Sequence, residues 1–303
     1  MFVWLPVLLD SSVDVLTISS VIALLFLSSV SLFFIFQLRF RSKVSPKLHH
    51  FNSLWAIRFL LVIFIFLWSL SQLLRHPSFF TSLSLSLSSQ VYFCKFHIVL
   101  SLGLLQPAFL VILLYLVIVS IRKPNSKNSL CAVSLVLIVF PVVLLQSFFL
   151  FFWDGNQLPD IFVRSWSVAD PDSQNDVVSC TYPLISIVIF GGFAMTYAVG
   201  FMVSSYRVVS LVINKGLRRR IYFLTFVVLF SLATETVCLV FSAAWRMETS
   251  ITGLIPLLAF LSALLVAVAG EAIVVIRPIS DALAATGCSS QRGDYSSDQA
   301  AEV

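Results

Sequence analysis

Asn214-Lys215-Gly216-Leu217-Arg218-Arg219-Arg220 is the stretch that decides how this chain is arranged. It separates two long apolar segments, the second of which begins at Ile221. Four cations stand within six residues, with no acid among them. Such a run is costly to carry across a lipid bilayer and is favoured beside the anionic cytoplasmic leaflet. Its simplest role is an anchor that fixes membrane orientation. A sharper role is a docking surface in which Lys215, Arg218, Arg219 and Arg220 meet a cytoplasmic partner.

Composition widens this reading to the whole chain. The 303 residues are 59% hydrophobic and only 11% charged, and mean hydropathy is +1.01. A soluble domain carries about 25% charged residues. The deficit runs through most of the length, which predicts a polytopic membrane protein. The net charge of +5 could suggest nucleic acid in a soluble protein. Here the cations sit in short connections between apolar spans, so membrane lipid is the expected partner and nucleic acid is not.

A span needs roughly 20 apolar residues. Seven such segments are expected, at about 15–38, 52–74, 91–121, 129–152, 182–209, 221–245 and 251–276. Each is predicted to be a helix, because backbone polar groups in lipid must bond within their own segment. Residues 1–14 read as a short outside segment, since no basic residue precedes Asp10 as a signal peptide would require. The seven-helix unit covers 15–278, and the small polar tail 279–303 reads as a disordered cytoplasmic extension. A kink is expected at Gln106-Pro107. The Ser-Leu alternation over 81–89 fits a strand, a loop or the prolongation of a neighbouring helix.

Charge then sets the sides. The first connection holds Arg39, Arg41, Lys43 and Lys47; the third holds Arg122, Lys123 and Lys127; the fifth holds Arg207, Lys215, Arg218, Arg219 and Arg220. The opposite side holds Arg75, Lys95, Arg164 and Arg246 with most of the acids, so 12 cations face four. The positive-inside rule therefore predicts an outside N-terminus and a cytoplasmic C-terminus, the split that an odd number of spans demands.

Three constellations stand out. Cys94, atop the third span, and Cys180, just before the fifth, both fall on the predicted oxidising side. A disulfide between them is expected, with two free thiols, or one pairing elsewhere, as the alternatives. Glu235 lies mid-span between Thr234 and Thr236, and an intramembrane carboxylate is a functional candidate by default. These three residues form the candidate ligand site, and an interhelical hydrogen bond is the structural alternative for Glu235. Arg58 and Glu271 have opposite signs and similar depth near the cytoplasmic ends of the second and seventh spans. They are a candidate intramembrane ion pair if those helices are neighbours; otherwise Arg58 snorkels to lipid phosphate. No cofactor and no metal are expected, because the chain has no deep pair of His residues and no zinc-like spacing.

Seven spans, an outside N-terminus and a cysteine atop the third span within reach of one in the second outside loop resemble the heptahelical G-protein-coupled receptor plan. The likeness is architectural and covers about residues 10–280. Rhodopsin-class motifs are absent: the third span ends Val119-Ser120-Ile121-Arg122-Lys123, and the seventh ends Val274-Val275-Ile276-Arg277-Pro278. The chain is most similar to plant-type seven-span proteins described as candidate G-protein-coupled receptors. That resemblance implies a receptor in the plasma membrane rather than an endomembrane, with a small outside ligand and a cytoplasmic signalling protein as partners.

The expected function is therefore receptor-like sensing. The competing readings are a membrane scaffold with no ligand and a small-solute or proton transporter using Glu235 and Glu271. No internal two-fold repeat of the kind common in transporters is visible. An enzyme is not expected, since there is no nucleophile elbow and no intramembrane His cluster.

Overall fold

The computed structural model describes residues 4–42, 54–75, 86–119, 129–153, 159–163, 165–168, 178–244 and 254–281. Among these, seven helices are long and apolar enough to cross a membrane. They are α1 (Trp4–Ser42), α2 (Trp55–Leu73), α3 (Leu87–Val119), α4 (Ser129–Ser147, continued by Phe148–Phe152), α5 (Leu184–Leu211), α6 (Lys215–Ala244) and α7 (Leu254–Asp281). The single departure from an all-helical fold among the described residues is a ribbon of two short strands. β1 (Trp166–Val168) pairs antiparallel with β2 (Val178–Cys180), Trp166 opposite Cys180.

The helix ends differ from expectation for local reasons. Residues 4–14, expected to precede the first span, are the opening turns of α1. Pro6 falls in the first turn, where a missing N–H costs nothing. α3 starts at Leu87, so the end of the Ser-Leu alternation is helical; residues 81–85 lie outside the described set, as does the tail beyond 281. The basic stretch at 215–220, expected as a loop, forms the first two turns of α6. Asn214 caps it: its Oδ1 accepts the Gly216 N–H at 2.9 Å, and its carbonyl accepts the Arg218 N–H at 3.0 Å. Only Val212, Ile213 and Asn214 separate α5 from α6.

The expected kink at Gln106-Pro107 takes the form of a wide π-turn over Val99–Leu105. α7 has the same device over Glu271–Ile276, ahead of Arg277-Pro278. A proline lacks an N–H and crowds the carbonyl four residues before it. Widening the preceding turn absorbs both effects without breaking the helix.

α3 is the central helix: 78% of its most apolar window is buried, against 22% for α4. α1 packs on α2 and α7, α2 on α3, α3 on α4 and α5, α5 on α6, and α6 on α7. Trp68 of α2 anchors one side of the core, its ring stacked on Phe260 of α7 and edge-on to Phe109 of α3, both with centroids 5.9 Å away. The exterior is apolar as well as the core, and some polar side chains are buried. Phe26, Phe33, Phe140 and Phe226 are exposed on the outside, while Gln72, Gln106, Gln146, Glu235 and Glu271 are buried. An apolar exterior of this extent suits lipid rather than water.

Candidate functional site

The Cys94–Cys180 disulfide forms as expected, with Cα atoms 5.2 Å apart. It fastens β2, and so the segment leading into α5, onto the start of α3. Two residues after Cys180, Tyr182 is buried against the bundle. The Arg75 guanidinium lies over its ring at 5.1 Å, and the buried imidazole of His97 lies beside it at 6.4 Å. The disulfide thus presents Tyr182 as a plug at this end of the bundle.

Below the plug is a small cavity of about 20 Å³, room for a water or two. α2 contributes Trp68 and Gln72, the turn after it Arg75, α3 contributes Ser101 and Gln106, α6 contributes Glu235 and Leu239, and α7 contributes Pro256 and Phe260. Gln72 donates to Ser101 Oγ at 3.0 Å. At the inner end Gln106 Nε2 donates to Glu235 Oε1 at 2.6 Å. The wide turn of α3 ends immediately before Gln106 and so sets its heading. Two buried polar atoms on the cavity's residues have no partner: Glu235 Oε2, and the indole nitrogen Nε1 of Trp68. A buried acceptor and donor left in that condition are costly unless something enters to bond them.

Glu235 is therefore where the sequence placed it in importance, buried at 3% exposure and both hydrogen-bonded and facing a cavity. Thr234 and Thr236 do not join it. Their hydroxyls bond backward to the carbonyls of Phe230 and Leu232, at 2.9 and 2.8 Å. Adjacent helical residues point about 100° apart, so neighbours of an inward residue face sideways. Thr236 turns to α5, where a Cβ at Gly191 would meet its methyl at 3.5 Å.

The expected ion pair between Arg58 and Glu271 is replaced by a different arrangement. Glu271 is fully buried and accepts from Ser28 Oγ at 2.6 Å and Ser31 Oγ at 3.0 Å. Those serines lie one turn apart on α1, so both hydroxyls reach one carboxylate. Arg58 is buried, and its Nε and Nη1 have no hydrogen-bond partner. Each carboxylate oxygen takes a donor from the neighbouring helix, and the Arg58 guanidinium is not among its partners.

Of the basic residues, Lys215, Arg218 and Arg219 are exposed at the start of α6. Arg218 leans over the ring of Tyr222 at 5.9 Å. Arg220 pairs with Asp281 of α7 at 3.0 Å, a solvent-exposed contact between the two helices at this end. Cations at a helix N-terminus oppose its dipole, so this run does not serve helix stability.

Sequence reasoning missed Trp68, Gln72, Arg75, His97, Ser101, Gln106 and Tyr182 as members of one site. Gln72 and Gln106 carried the same signal as Glu235, a polar side chain within an apolar span. Among the described residues no three His, Cys, Asp or Glu side chains converge as a metal site would require.

Fold and site together define a seven-helix bundle with an apolar exterior and a polar column reaching from a disulfide-held plug to a central carboxylate. The chain belongs to the family described as uncharacterised conserved protein UCP031277, matched over residues 6–291. No curated protein and no solved structure matches it.

Proposed function

We propose that this is a receptor-like multi-pass protein of the plasma membrane, with the disulfide end outside and Lys215–Arg220 at the cytoplasmic face. The charge asymmetry of the connections and an extracellular disulfide both favour that orientation. A small ligand enters at the disulfide end, displaces the Tyr182 plug and engages Glu235. The likeness to heptahelical receptors, and to the plant-type candidates among them, adds to this reading.

The observation that carries it is the continuity of α6. One helix of 30 residues holds Glu235 on the cavity and the basic run at its end. The 15 residues from Arg220 to Glu235 place the two roughly 22 Å apart. A ligand that binds two positions of α6 unequally shifts the population between them, and the basic end moves with it. A cytoplasmic signalling protein that reads Lys215, Arg218 and Arg219 would sense that shift.

The runner-up is a scaffold that recruits partners without a ligand. It is favoured by the size of the cavity, far below the roughly 300–1,000 Å³ of small-molecule pockets. A thermal-shift screen of a compound library on the purified full chain separates the two, run in parallel on Glu235→Gln. Compounds that raise the Tm of the wild type but not of the variant support the receptor reading. Hits that stabilise both equally place binding elsewhere and remove Glu235 from it.

A further inference from the structure

We propose that the space between Arg75 and Glu235, enlarged when the Tyr182 plug is displaced, selects a zwitterion, with its carboxylate toward Arg75 and its ammonium toward Glu235. This rests on the receptor-like reading of the same site and names the ligand chemistry. Among the cavity's lining residues the basic and acidic side chains are Arg75 and Glu235, and an arriving ammonium group favours the ionised form of the carboxyl it meets. Arg75 and Glu235 stand at opposite ends. Gln72 touches Ser101 and Gln106 touches Glu235, so three residues along α2 and five along α3 separate their levels. At α-helical rise that would be roughly 12 Å between backbones; the wide turn over Val99–Leu105 advances less per residue, and the two side chains reaching inward shorten the gap further.

Between the two ends the lining includes the aromatic rings of Trp68 and Phe260. Aromatic faces attract an ammonium group stripped of water. Glu235 Oε2 is buried without a partner and is the acceptor such a group needs. At the other end Arg75 makes a ring contact with Tyr182, a neutral partner that a ligand carboxylate would displace with a stronger, charge-assisted bond. A simple amine would meet the positive field of Arg75 on entry. A simple carboxylate would meet Glu235 at the floor. A molecule carrying both charges meets neither obstacle.

The test uses the purified full chain in lipid nanodiscs with glycine, β-alanine and ε-aminocaproate as probes. Hexylamine and hexanoate serve as the half-molecules. Expected is a rise in Tm with at least one zwitterion, and an apparent affinity for it about tenfold or more above either half-molecule. In Glu235→Gln that preference over hexanoate should vanish, and in Arg75→Gln the preference over hexylamine should vanish. The rim position of Arg75 gives a second variant if Glu235→Gln folds poorly. Equal binding of all probes, binding of a half-molecule as tight as any zwitterion, or no binding by the zwitterions overturns the proposal. A library compound that binds through Glu235 and lacks one of the charges also overturns it, while leaving the receptor-like reading standing.

Discussion

Gln106 and Glu235 meet across the bundle: the amide Nε2 donates to carboxylate Oε1 at 2.6 Å, although the residues are 129 positions apart in the chain. This contact joins the central helix to the helix that carries the basic run. Replacing Gln106 with Ala leaves both carboxylate oxygens unpartnered in the interior. A loss of about 1–3 kcal/mol is expected, read as a lower Tm of the purified chain. Glu235→Gln keeps a side chain of the same shape that can still bond Gln106, so its Tm should fall less than that of Gln106→Ala.

The arrangement of Glu271 and Arg58 separates two accounts by opposite outcomes. If the serines of α1 hold Glu271, Ser28→Ala with Ser31→Ala should lower stability by a few kcal/mol, on the order expected when a buried acceptor loses its donors. Arg58→Met should be neutral or stabilising, because it replaces a buried cation that has no partner with an apolar chain of similar reach. A large loss on Arg58→Met, equal to that of Glu271→Gln, would show that the two are paired. Thermal unfolding of the three variants decides it.

The disulfide closes a stretch in which Cys94 and Cys180 are separated by 86 residues. Its removal in the double variant Cys94→Ser, Cys180→Ser should cost about 2–5 kcal/mol. It should also free the Tyr182 plug. Proteolysis of the 153–181 segment in the folded protein should accelerate, while far-ultraviolet circular dichroism stays helical.

Orientation has a direct readout at Ile213, which is 98% exposed in the link between α5 and α6. An Ile213→Cys variant should react with a membrane-impermeant maleimide only after cells are permeabilised. Labelling of intact cells would invert the topology and move the basic run outside.

The Arg220–Asp281 pair should matter little for folding. Its partners are 35% and 62% exposed, and solvent-exposed pairs contribute about 0–1 kcal/mol. Asp281→Asn should leave Tm nearly unchanged. Asn214→Ala, which removes the cap on α6, should cost about 1 kcal/mol.

Number and place of the helices were legible because twenty-residue apolar runs have few other fates. The disulfide was legible from two cysteines on one predicted side. Glu235 stood out because a carboxylate in an apolar span must be explained. Its real neighbours did not stand out, since nothing local says that Gln106 of α3 faces α6 or that Ser28 and Ser31 of α1 reach Glu271. Such pairings depend on helix rotation across more than a hundred residues of chain. Thr234 and Thr236 flank an inward residue and so had to face elsewhere on a helix. Asn214 before Lys215 was already a capping signal, and Arg and Lys are good helix formers, so the basic run had reason to be helical.

The link Val212-Ile213-Asn214 bounds how far the molecule can open. From Leu211 to Lys215 the chain spans four steps, so even fully extended it reaches roughly 14 Å. Packed helices already sit about 8–10 Å apart. The basic end of α6 can therefore swing away from α5 by only a few ångströms. A larger displacement has to carry both helices as a pair, or turn α6 about its own axis. A partner at that face would meet a surface whose charges rotate or travel together, not a cleft that opens between the two helices.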